Sequence, residues 1–120
     1  MKNISINDGV LVIDEKEVRF KYNVTHFVVV NDIVVVRLGC ASRKDDINNI
    51  YGVIDGKIAW RVQDMLEYDI NYKPFFPDPY SGIDQYVKEP SLLVGTTSNG
   101  FKVLINPNNG KIVGKDGWCR

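Results

Sequence analysis

The sequence predicts an all-β fold, an antiparallel meander of hairpins forming a sandwich or small barrel. Three observations carry that reading. Short apolar segments alternate along the chain with Gly, Asn and Asp turn signals, the pattern of paired strands. A phrase consisting of a turn and then a strand recurs three times, as Glu17-Val18-Arg19-Phe20-Lys21, Lys57-Ile58-Ala59-Trp60-Arg61 and Lys111-Ile112-Val113-Gly114-Lys115. Helical patterning is scarce, limited to a capping-box spacing at Asp64-Met65-Leu66-Glu67. The phrases start 40 and then 54 residues apart, the spacing of β-propeller blades. A propeller closes with about four or more blades, and 120 residues are too few for that. One domain over residues 1–120, built of propeller-blade-like repeats too few to close a propeller, is therefore expected.

Taken in order, Asp8-Gly9 leads into a strand at Val10–Ile13. Val18, Phe20 and Tyr22 then alternate with Arg19, Lys21 and Asn23, giving one buried and one wet face. Residues 27–30 and Ile33–Leu38 are apolar on both faces around Asn31-Asp32, as a tight hairpin in the centre of a sheet would be. The polar stretch 39–49 reads as a loop. A second hairpin joins Ile50–Ile54 to residues 57–62 through Asp55-Gly56, with Ile58, Trp60 and Val62 on one face. A third joins residues 92–97 to Phe101–Ile105 through Asn99-Gly100, and residues 106–110 turn into a strand at 111–113. Asn-Gly and Asp-Gly accept positive φ cheaply and match strand twist, which makes these hairpins the firmest local features. About eight to ten short strands result.

Residues 68–79 interrupt this rhythm. Pro74, Pro77 and Pro79 remove ladder donors and favour irregular extended backbone. The segment is a long loop between the second and third repeats, and long loops in compact domains often carry function. Aromatic side chains crowd it: Tyr68, Tyr72, Phe75, Phe76, Tyr80 and, nearby, Tyr86. Two roles stand open for Phe75 and Phe76, a plug in one end of the β core or exposed anchors for a partner.

Composition excludes several classes. With 44% apolar and 25% charged residues the chain is neither disordered nor membrane-embedded. No apolar run is long enough to span a bilayer, and the first residues lack a signal-peptide stretch, so a cytoplasmic location is expected. Cys40 and Cys119 have no metal or redox spacing and fit a reducing compartment better than a disulfide. The formal net charge of zero argues against general nucleic-acid binding. Charge is unevenly placed, however. Residues 64–84 carry five acids (Asp64, Glu67, Asp69, Asp78, Asp84) against Lys73, whereas residues 85–120 carry five bases against two acids. That arrangement is either a solvated surface or a dock for a basic partner.

Catalytic chemistry is not recognisable. His26 is the one histidine, and at the start of an apolar strand it reads as a structural hydrogen-bonder. No Cys, His or carboxylate cluster has zinc spacing, no acidic loop matches a calcium hand, and phosphate-binding glycine loops are absent. Nothing orients Cys40 and His26 as a dyad. The acid pairs Asp45-Asp46 and Asp64/Glu67 come with no recognisable pocket. Neither an enzyme nor a cofactor is expected.

The segments Val53-Ile54-Asp55-Gly56-Lys57-Ile58-Ala59-Trp60 and Leu104-Ile105-Asn106-Pro107-Asn108-Asn109-Gly110-Lys111-Ile112 resemble the Gly-Lys-x-x-Trp repeat of quinoprotein propellers. In those proteins the tryptophan docks one blade on its neighbour. The quinone is not implied, because the calcium ligands and adjacent cysteines that accompany it are missing, and Gly114 replaces the tryptophan in the last repeat. The wider arrangement, Pro79-Tyr80-Ser81-Gly82-Ile83 with Leu92-Leu93-Val94-Gly95 and Ser98-Asn99-Gly100-Phe101, looks like small bacterial single-domain proteins of this blade type. Among these are immunity proteins encoded beside polymorphic or contact-dependent growth-inhibition toxins. The resemblance implies a cytosolic antidote that binds one cognate toxin domain and occludes its active site.

The functional expectation is therefore a protein-binding module of the immunity-protein kind, with a basic toxin domain as partner. Tyr72, Phe75, Phe76 and Tyr80 would be the desolvated anchors. Asp64, Glu67, Asp69, Asp78 and Asp84 would steer association and pair with Lys or Arg. Two other readings stand beside it. One is a self-associating structural module, a homodimer through an edge strand. The other is a small-ligand β domain whose site is lined by Tyr51, Trp60, Tyr86 and Trp118.

Overall fold

Four two-residue turns organise the first half of the chain, each with both residues at positive φ: Asp8-Gly9, Asp14-Glu15, Asn31-Asp32 and Asp55-Gly56. This is the type I′ geometry whose twist matches that of antiparallel strands. The computed structural model describes residues 3–39, 47–68, 79–98 and 100–118. Among them, the strands form three antiparallel meanders, and these four turns join strands of the first two. The first sheet is β1 (Ile4–Asn7), β2 (Val10–Ile13) and β3 (Lys16–Val18). The second is β4 (Val24–Val30), β5 (Ile33–Leu38), β6 (Ile50–Ile54) and β7 (Lys57–Arg61). After one helical turn, α1 (Met65–Tyr68), come β8 (Tyr80–Gln85), β9 (Leu93–Thr97), β10 (Phe101–Ile105) and β11 (Ile112–Trp118) in the third. The fold is all-β, and the three sheets stay open rather than closing into a barrel.

The second sheet is the middle layer. Val34, Val36 and Leu38 of β5 join Val24 and Val53 in one core with Leu11, Ile13 and Val18 of the first sheet. Ile33 and Val35 point the other way, into a core with Ile50, Trp60 and Val62 and, from the third sheet, Tyr80, Ile83, Leu93, Val103, Ile105 and Ile112. A strand covered on both faces demands apolar side chains on both, and the β-branched run Ile33–Val36 of β5 meets that demand up to Arg37. The first sheet turns its buried residues inward, whereas its outer face mixes exposed Ser5, Asn7 and Glu17 with half-buried Val10 and Val12.

Three expectations need correction. The strand through Val18 ends there, and Phe20 and Tyr22 are half-buried against the first core without continuing the ladder. Ile58 does not share a face with Trp60. The β6–β7 register shifts so that Gly52 opposes Trp60 and Val53 opposes Ile58, leaving Ala59 as an extra residue. That β-bulge reverses the alternation and leaves Ile58 48% exposed. Finally, β1 and β8 are strands in segments with no expected strand.

Candidate functional site

The most constrained region is the seam between the second and third sheets. Trp60 donates its indole N–H to the Pro107 carbonyl at 2.8 Å. Its ring lies between Gly52 on β6 and Gly110 in the β10–β11 turn, and a Cβ at either glycine would overlap the indole. Gly110 takes positive φ (75°), so glycine serves both the turn and the close approach. Gln63 completes the join: its main-chain N–H donates to the Gly110 carbonyl at 2.9 Å, and its Oε1 accepts from Ile112 N–H at 3.0 Å. Trp60 thus docks one sheet on the next.

Asn49 makes the second join, which sequence reasoning missed. Its buried amide donates to the Leu38 carbonyl at 2.8 Å and to the Tyr80 carbonyl at 3.0 Å, and accepts from Tyr80 N–H at 2.8 Å. All three bonds are between buried groups, so the side chain meets the hydrogen-bonding demand of burial. An isolated asparagine in a polar stretch carries no signal that distinguishes it from a loop residue.

These joins pin both ends of the acidic segment to the core. It leaves the seam after Gln63 and returns at Tyr80. Asp64 is half-buried, with its carboxylate 3.4 Å from the Asn48 amide, which donates to it, and its carbonyl accepts from Glu67 N–H at 3.0 Å. Glu67 is exposed on α1. Asp84 is exposed on β8, on the face turned away from the second sheet, because its neighbour Ile83 is in the core. Tyr80 is only 3% exposed and packs in the core, a correction to its expected role as a surface anchor. Asp69, Tyr72, Phe75, Phe76 and Asp78 lie outside the described residues, as do Cys40 and Cys119.

Tyr51 and Trp60 do not line a common ligand site. Tyr51 opposes Val36 and Arg61 on the face toward the first sheet, with its ring 5.4 Å from that of Phe20 and 5.6 Å from the Arg61 guanidinium. Trp60 faces the other way. His26 is exposed and makes no side-chain hydrogen bond among the described residues, so it is not the structural hydrogen-bonder expected. Directly across from it on β5 is Arg37, whose Nε is buried without a hydrogen-bond partner among the described residues. Burial lowers the Arg37 pKa from the ordinary arginine value. No group of three or more His, Cys, Asp or Glu among the described residues is placed to hold a metal ion. No helix among them is long and apolar enough to cross a membrane.

Residues 1–116 match the family model described as "Domain of unknown function (DUF7957)", and the chain belongs to that family. No curated protein and no solved structure matches the chain.

Proposed function

We propose that this member of the DUF7957 family is a protein-binding module, an immunity protein that covers the active site of a cognate bacterial toxin in the cytoplasm. The observation that supports the reading is the anchoring of the acidic segment. Its two ends are held at Gln63 and Tyr80 by hydrogen bonds to the buried seam. A loop presented by a rigid scaffold is where binding residues concentrate. Glu67 near its start and Asp84 at its end are exposed, and they supply negative potential toward a basic partner. The exposed acids govern the rate and salt dependence of association. The aromatic residues of the segment supply the desolvated contacts.

Capture with tagged protein from bacterial cytosol at low and high salt tests this, using wild type and the double variant Glu67→Lys with Asp84→Lys. A single stoichiometric basic protein is expected, bound at low salt and lost both at high salt and with the double variant. Recovery of the tagged chain alone, or of a partner indifferent to salt and to both substitutions, overturns the reading.

A further inference from the structure

We infer that the first sheet has a further strand position, between the edge of β1 that no described residue pairs with and the exposed face of β4, that accepts an extended segment of a partner polypeptide. The inference goes beyond the proposed function because it uses no residue of the acidic segment. It starts from the repeats. The hairpin β2–β3 (Val12-Ile13-Asp14-Glu15-Lys16) corresponds in sequence to β6–β7 (Val53-Ile54-Asp55-Gly56-Lys57) and in place to β10–β11. This starts the first repeat's strand at Lys16, one residue before the expected Glu17. Each hairpin forms the outer two strands of its sheet. The second and third sheets add two inner strands, β4–β5 and β8–β9, whereas among the described residues the first adds only β1. By this alignment β1 corresponds to β5, and no strand among the described residues corresponds to β4.

Packing agrees with the alignment. The strand β8 lies across both β4 and β5, and β4 correspondingly touches β1. Where β8 covers β4, Val30 is only 2% exposed and Val28 half-buried. On the opposite face of β4, toward the first sheet, Val29 is 42% exposed although its cross-strand neighbour Val34 is 1% exposed. Phe27, on the same face as Val29, is half-buried. An inner strand in the first sheet would cover Val29 as β8 covers Val30.

The ladder supplies the other half of the slot. Asp14 N–H donates to the Asn3 carbonyl at 2.8 Å, and hydrogen-bonded pairs alternate along an antiparallel ladder. Ser5 with Val12 and Asn7 with Val10 are therefore the bonded pairs, and the N–H and C=O of Ile4 and Ile6 point away from β2. Among the described residues β1 pairs with β2 alone. The occupant follows from this geometry: an extended segment antiparallel to β1, as β4 is to β5, with apolar residues at every second position beside Ile4, Ile6 and Val29. Strand addition at an open edge takes affinity from main-chain hydrogen bonds and specificity from alternate side chains. On the outer face of the first sheet exposed Ser5, Asn7 and Glu17 surround half-buried Val10 and Val12. These polar groups disfavour a stacked second copy and leave a single added strand as the occupant.

The test uses the full chain and a synthetic peptide with the sequence Val24–Val30 flanked by lysines, followed by amide hydrogen exchange. In the free protein the Ile4 and Ile6 amides should exchange at least about tenfold faster than those of Ser5 and Asn7. Peptide should slow Ile4 and Ile6 at least about tenfold and shift the Val29 methyl resonances. A peptide N-methylated at its β1-facing amides should produce neither effect. The inference is overturned if saturating peptide leaves Ile4, Ile6 and Val29 unchanged, or if the N-methylated peptide acts equally well. Concentration-dependent protection of Ile4 and Ile6 in the free protein would also overturn it, since the occupant would then be a second copy. None of these outcomes depends on a toxin, so the slot and the immunity reading fail separately.

Discussion

Trp60 lies so close to Gly110 that one added methyl at the glycine would overlap the indole, with Trp60 Cδ2 only 2.8 Å from the position of a Cβ. The Arg61 carbonyl would be 3.1 Å from the same Cβ, and the glycine φ is 75°. Substitution by alanine therefore meets a steric and a conformational obstacle together. Gly110→Ala should destabilise the fold by about 2 kcal/mol or more. Urea unfolding followed by tryptophan fluorescence checks this, and an unchanged midpoint would show that Trp60 does not bear on the docking of the sheets.

Asn49 should be as sensitive for a different reason. Replacing it with Leu keeps a similar volume but leaves the Leu38 carbonyl and both main-chain groups of Tyr80 without these partners. Each unsatisfied buried group costs about 1–3 kcal/mol, so Asn49→Leu should lose about 3 kcal/mol or more in chemical denaturation. Tyr80 would also lose its anchor, and exchange protection in β8 should fall more than in β1–β3.

Glu15 occupies a left-handed conformation at φ 72°, the position Gly56 takes in the second repeat at φ 75°. A residue with a Cβ pays about 1–2 kcal/mol there, offset partly by the greater unfolded-state entropy of glycine. Glu15→Gly should therefore raise stability by about 0.5–1 kcal/mol, read as a higher denaturation midpoint at unchanged slope.

Arg37 presents a contrasting case, because its Nε is buried with no hydrogen bond among the described residues. Met would retain much of the apolar stem while removing the cost of desolvating the guanidinium. Arg37→Met should leave stability unchanged or raise it by about 1 kcal/mol. A loss of more than about 1 kcal/mol would mean that the guanidinium holds the strand ends together in a way its packing does not reveal.

The parts of the fold legible in the sequence were those written in local chemistry. Asn31-Asp32 and Asp55-Gly56 mark their hairpins, and the apolar run of β5 marks a strand buried on both faces. What escaped depends on neighbours. Tyr80 and Ile83 are three residues apart, out of step with a plain strand, yet both are in the core. A register shift between Tyr80 and Gly82 brings them to one face, and no periodicity in the sequence announces it. The bulge at Ala59 turned Ile58 outward in the same way. Of the candidate site, the charge asymmetry was visible in the sequence, but the pinning of its ends was not. That depends on Asn49 and Gln63, polar residues whose partners are distant in sequence, and on a Tyr80 whose burial the neighbouring prolines obscure.

The central claim is that the open sheets are left for another protein and not for a second copy of the chain. Sedimentation velocity of the purified chain across a wide concentration range tests it most directly. The account predicts the mass of one chain at every concentration, with partner binding adding to it. A mass that rises with concentration toward a dimer or larger ring would contradict it, because the free edges and faces would then be closing on themselves.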